Sequence, residues 1–133
     1  MRVVLDSNVI LAAFATHGLC EAVYAACLLE HDLFISTPLL NEITENLAAK
    51  FKASPDRVKE VQESISAQFH FVEPVTLGNN PCRDPDDAVV LATAIAAEAT
   101  CIVTGDKDLL VLGAYRDIAI LTPRAFYDRV KEK

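Results

Sequence analysis

Tryptophan is absent, and aromatic residues make up only 7% of the chain. Few rings are therefore available to stack on nucleobases. No apolar run spans a bilayer. Ala88 to Ala97 is uncharged and mostly apolar, but a crossing helix needs about 20 such residues. The opening Met1-Arg2-Val3-Val4-Leu5 is cut short by Asp6, so no signal-peptide core develops and a cytoplasmic protein is expected. Cysteines stand at positions 20, 27, 82 and 101, with no CxxC pair and no zinc-like His-Cys spacing. They read as buried, reduced thiols. Basic charge is also short: 12 Lys and Arg face 19 Asp and Glu, for a net charge of -7. That balance argues against non-specific duplex binding, which draws on many Lys and Arg contacts to phosphate. It does not exclude an enzyme whose carboxylates gather to hold metal ions.

What is present is ample for a core. The 133 residues are 52% hydrophobic and 23% charged, which predicts one globular domain over residues 1–133. Arg2 to Leu5 reads as a buried strand, followed by an apolar helix from Val9 to Ala15 that Gly18 ends. Leu19 to Leu29 resumes a helical pattern with Val23, Ala26 and Cys27 on one face. Leu33 to Ile35 is a second strand. Thr37-Pro38 opens the next helix, with Thr37 as N-cap and Leu40, Ile43, Leu47 and Phe51 as its stripe. Ser54-Pro55 caps a helix whose inner face carries Val58, Val61, Ile65 and Phe69. Phe71-Val72 is a third strand, and Leu77 to Pro85 a polar loop. A helix over Asp86 to Ala99, a strand over Cys101 to Thr104 and a turn at Gly105 to Asp108 follow. Ile118 to Leu121 is a fifth strand, and Thr122-Pro123 starts a last helix ending near Lys131. Strands alternating with helices predict an α/β domain with a mainly parallel sheet covered on both faces, a three-layer α/β/α arrangement.

In such sheets functional groups gather beyond the carboxyl ends of the strands. Asp6 follows the first strand, and Asp106 lies just past the fourth. Glu42 sits early in the helix after the second strand, and Asp87 in the first turn of the helix that feeds the fourth. Each has a bland alternative as a cap, a turn residue or a solvated helix residue. Their convergence is harder to dismiss. At an effective dielectric near 20, two charges roughly 5–6 Å apart repel by about 3 kcal/mol. Six such pairs have an upper bound near 18 kcal/mol, above the ~5–15 kcal/mol that holds a domain together. Protonation or cations must relieve this, and carboxylate oxygens suit hard ions such as Mg²⁺ and Mn²⁺.

Four segments carry a resemblance: V-V-L-D-S-N-V-I from Val3, P-L-L-N-E-I from Pro38, C-R-D-P-D-D-A-V-V-L-A-T-A from Cys82, and I-V-T-G-D-K-D-L-L from Ile102. In this order the chain resembles the PIN domain family, and within it the VapC-like toxin components of prokaryotic toxin–antitoxin systems. The resemblance implies a PIN-like fold and Mg²⁺- or Mn²⁺-dependent ribonuclease activity. A metal-activated water would attack RNA and leave a 5′-phosphate and a 3′-hydroxyl. It implies Asp6, Glu42, Asp87 and Asp106 as the catalytic and metal-binding acids, with Asp6 and Asp87 as direct ligands and Glu42 and Asp106 binding directly, through water or at a second ion. Ser7, Asn8 and Thr104 match supporting polar positions. Asp84 is placed behind the ligands, and Asp108 as the cap of the turn before Leu109.

Arg83 and Lys107 flank the acidic motifs and are candidate phosphate contacts. Lys50, Lys52, Arg57 and Lys59 read as a solvated basic face, with an RNA groove as the alternative. The three histidines, His17, His31 and His70, match no motif position. The partners implied are an RNA substrate, an antitoxin protein and a second copy in a homodimer, with no membrane. The alternative is a PIN-fold module that binds RNA or protein without cutting. A response-regulator domain would need an Asp after a mid-chain strand, where Glu73-Pro74 stands instead.

Overall fold

Val3, Val4 and Leu5 are fully buried. With Arg2 they form β1 (Arg2–Leu5), an inner strand of a six-stranded sheet. The computed structural model describes residues 1–82 and 84–131. After β1 come α1 (Ser7–Ala15), α2 (Leu19–Glu30), β2 (Asp32–Ile35), α3 (Thr37–Ala49), α4 (Pro55–Gln68) and β3 (His70–Phe71). The chain continues as α5 (Pro85–Ala96), β4 (Cys101–Val103), α6 (Lys107–Leu110), β5 (Ala114–Tyr115), β6 (Ile118–Leu121) and α7 (Pro123–Lys131).

The sheet order is β3-β2-β1-β4-β6-β5, and every neighbouring pair is parallel except β5 and β6. The three-layer α/β/α arrangement is the one the alternating pattern predicts. α5 packs across β1, β2 and β4, while α2 and α7 pack on each other and reach β2 and β6. Both faces are thus covered, which is why β1 and β4 are apolar without alternation. From β1 the chain builds outward through β2 to β3, then returns to lay β4 on the other side of β1. The carboxyl ends of β1 and β4 therefore flank a topological switch point, where such sheets open a crevice. The Asp6 N–H donates to the Val103 carbonyl at 2.9 Å and pins the two strand exits together.

Several boundaries differ from the sequence reading. α1 starts at Ser7, because Asp6 acts as its N-cap. α3 is capped by Ser36 and not by Thr37, which already lies in the first turn. The Ser36 hydroxyl serves Thr93 on α5 instead of the helix backbone, with the two oxygens 2.7 Å apart. The α3 stripe ends at Leu47. Phe51 lies beyond the helix and is 47% exposed, since Lys52 at φ 55° turns the chain away. The third strand sits one residue earlier, at His70–Phe71, with Val72 N–H still donating to Ile35 O at 2.9 Å. α6 and β5 were not foreseen. α6 is four residues long and β5 two, too short for any periodicity to show. Ser54 caps α4 as expected, accepting from Arg57 N–H at 3.1 Å.

All four cysteines are free; Cys27, Cys82 and Cys101 are buried and Cys20 partly so. Among the described residues no single helix is long and apolar enough to cross a membrane.

Candidate metal centre

Three acids at this edge are helix caps, and the caps use one oxygen each. Asp6 Oδ1 accepts from Ser7 N–H at 2.7 Å at the start of α1. Asp84 Oδ1 accepts from Asp86 N–H at 2.9 Å at the start of α5. Asp106 Oδ1 accepts from Asp108 N–H at 2.8 Å and from Leu109 N–H at 3.3 Å at the start of α6. The capping and chemical readings are thus compatible. The helix starts of α1 and α5 also bring partial positive charge, which favours carboxylates there.

Thr104 joins the two strand exits. Fully buried, it donates its hydroxyl proton to Asp6 Oδ2 at 2.6 Å and accepts from Asp106 N–H at 3.0 Å. Asp87, in the first turn of α5, is 4% exposed. Its Oδ2 is buried without a hydrogen-bond partner, the one such carboxylate oxygen among the described residues. Glu42 reaches in from the second turn of α3.

These groups surround a cavity of about 150 Å³ whose walls carry Asp6, Glu42, Asp84, Asp86, Asp87 and Asp106. Ser7, Asn8, Asn46 and Lys50 complete the lining. Burial pushes Glu42 up to about 7, with Asp86 and Asp6 adding repulsion and the Ser7 hydroxyl opposing it. Burial likewise raises Asp87 to about 6, helped by Asp106, Asp84 and Asp6. Asp6 is raised by burial too, and the Thr104 hydroxyl and Ser7 N–H work against the rise. The tightest grouping is Asp87, Asp106 and Asp108, each with a carboxylate oxygen within 4.8 Å of the others.

The structure therefore brings Asp6, Ser7, Asn8, Glu42, Asp84, Asp87 and Asp106 to one cavity. Thr104 stands directly behind them. Asp108 does not cap the turn; Asp106 does, because its extended backbone is the one that suits a cap. The Asp108 carboxylate joins Asp87 and Asp106 instead. Lys107 is exposed and outside the lining, and Arg83 lies outside the described residues. The sequence reading missed Asp86, Asn46 and Lys50 as lining residues. Asn46 and Lys50 follow Glu42 at four-residue intervals, so helical spacing alone puts them on its face. His17 pairs with Glu21 at 3.1 Å and His70 with Asp32 at 3.7 Å, and no histidine lines the cavity.

A hard divalent cation fits this donor set. The donors are carboxylate oxygens, one is buried and unpartnered, and a cation would relieve the crowding that raises Glu42 and Asp87. A family model described as "PIN domain" matches residues 2–108. Eleven chains of solved structures also match. One belongs to a crystal structure of VapBC2 from Rickettsia felis bound to a DNA fragment from their promoter. That likeness has a TM-score of 0.63 at 13% identity, over 92% of this chain and 98% of that one, and it shows a shared fold. No curated protein sequence matches.

Proposed function

Because the chain belongs to the PIN domain family, we propose that residues 1–133 form one such domain and that its acidic cavity hydrolyses RNA phosphodiester bonds with Mg²⁺ or Mn²⁺. The observation that carries this reading is the unpartnered, buried Oδ2 of Asp87 inside a ring of acids at the β1–β4 switch point. A bound divalent cation supplies Lewis-acid charge to the phosphodiester and lowers the pKa of a water. Asp87, Asp106 and Asp6 would hold it, and Asp108 lies close enough to join them. The Thr104 hydroxyl fixes the orientation of the Asp6 carboxylate. The Ser7 hydroxyl lines the same cavity and opposes the rise of Glu42 and Asp6. Asn8 and Asp84 shape the mouth of the cavity.

The likeness to the VapBC2 structure supports a further step: this chain is the toxin of a toxin–antitoxin pair acting in the cytoplasm. A small antitoxin then lays a segment across the cavity and opposes the acids with Arg or Lys. A homodimer belongs to the same reading. The inner faces of α2 and α4 are spent on the core through Val23, Cys27, Val61 and Ile65 and offer a second copy nothing. Leu28 and Leu29, 36% and 84% exposed on α2, are apolar surface left to support the dimer. Light scattering that gives a monomer at tens of micromolar rejects the dimer.

The deciding assay is RNA cleavage with Mg²⁺, Mn²⁺ or EDTA by wild type, Asp6→Asn and Asp87→Asn. Wild type should cut with either ion and not in EDTA. Each variant should lose orders of magnitude in rate while keeping its fold. Full activity in either variant rejects the site assignment. A wild type that binds RNA and never cuts it leaves the non-cleaving module.

A further inference from the structure

Glu42, Asn46 and Lys50 stand at i, i+4 and i+8 on α3, and all three line the acidic cavity. Lys50 Cα is about 12 Å along the helix axis from that of Glu42. Helical side chains lean toward the N-terminus, so the Lys50 stem leans back toward the acids. Lys50 is the one cationic side chain lining the cavity among the described residues. Yet among the described residues it forms no ion pair within 4.0 Å, although six carboxylates share the same walls. Of the other three members of its basic stretch, Lys52 is exposed and outside the lining, and two are engaged elsewhere. Arg57 donates to the Phe14 carbonyl at 3.3 Å, and Lys59 reaches Glu63 at 4.0 Å.

A polyanion approaching this cavity meets mostly negative charge. It needs a cation at the mouth that the acids have not consumed. We infer that the Lys50 ammonium binds a backbone phosphate of the RNA strand on the α3 side of the cavity. This rests on the ribonuclease reading above. The competing role for Lys50 is purely structural, offsetting the negative end of α3 as its C-cap residue.

The test compares wild type, Lys50→Gln and Lys50→Arg as full chains. The probes are a labelled mixed-sequence single-stranded RNA and unfractionated tRNA. Cleavage kinetics and RNA binding by fluorescence anisotropy are read in Mg²⁺ at several salt concentrations. Losing one charge-assisted contact should raise KM and Kd about tenfold for Lys50→Gln, with kcat little changed. The slope of log affinity against log salt should become shallower by about 0.7 on the single strand. Lys50→Arg should restore both. The Mg²⁺-induced rise in Tm should be as large in Lys50→Gln as in wild type, which separates phosphate binding from damage to the acids. A Lys50→Gln variant with wild-type KM, Kd and salt slope overturns the inference while leaving the nuclease intact. So does a failure of Lys50→Arg to rescue. A wild type that neither binds nor cuts either RNA in Mg²⁺ overturns the ribonuclease reading itself, and Lys50's role falls with it.

Discussion

Thr104 is the residue on which the geometry of the acids most depends. It spends its only proton on Asp6 and its lone pair on the Asp106 N–H. Thr104→Val keeps the shape and removes both bonds, leaving a carboxylate that is 6% exposed without its donor. We expect a loss of about 1–3 kcal/mol in urea unfolding, and a further rise in the Asp6 pKa. Unchanged stability would contradict the buried bond. Much of the site is visible one residue at a time in the sequence. Asp6 and Asp106 follow apolar strand runs, and Asp87 opens an apolar helix. What is not visible is which oxygen does what. That Asp106 takes the cap while Asp108 joins the cluster depends on the extended backbone at Asp106. Lys50 was legible in spacing, but it reads as one of four basic residues until α3 is seen to carry it to the cavity.

At the scale of elements, the acids are positioned by contacts between helices that the sequence does not announce. Thr93 on α5 gives its proton to the Val89 carbonyl at 2.7 Å, so Ser36 must be the donor in the buried Ser36–Thr93 pair. That bond ties the start of α3, which carries Glu42, to α5, which carries Asp87. Thr93→Val should cost on the order of 1–2 kcal/mol by leaving Ser36 unpaired, and should slow cleavage more than its stability loss explains. Ser54→Ala is the control. It removes an exposed cap of α4, costs about 1 kcal/mol and should leave cleavage untouched. Equal effects on cleavage from the two would show that the α3–α5 tie does not position the site. The cap at Ser54 is legible because Pro55 follows it directly at the first helical position. At α3 the Pro stands one residue further in, so Thr37 reads as the cap in place of Ser36, whose hydroxyl bonds a partner 57 residues away. β5 and α6 left no period to read, while the parallel core of β1, β2 and β4 stood out as apolar runs.

For the whole molecule, the crowded acids make stability depend on pH and on metal. Asp87 rises from 3.8 to about 6 and Glu42 from 4.5 to about 7 on folding. A raised carboxylate means the native state keeps protons that the unfolded chain has released. Stability from these groups is therefore fully present below pH ~4 and is lost as pH climbs through about 6 and 7. For Asp87 alone the loss is on the order of 3 kcal/mol. In EDTA, urea midpoints should fall between pH 5 and pH 7.5, and a flat profile contradicts the clustering. A divalent cation should reverse the loss, adding roughly 2.7 kcal/mol at 100 times its Kd and raising Tm by about 10 °C. The most direct test of the account is the Mg²⁺-induced shift in Tm at pH 7.5 for wild type and Asp87→Asn, each against EDTA. Tm should rise clearly for wild type, and the variant should be more stable than wild type in EDTA but respond little to Mg²⁺. A wild type that does not respond to Mg²⁺, beside a variant that is less stable in EDTA, would contradict it.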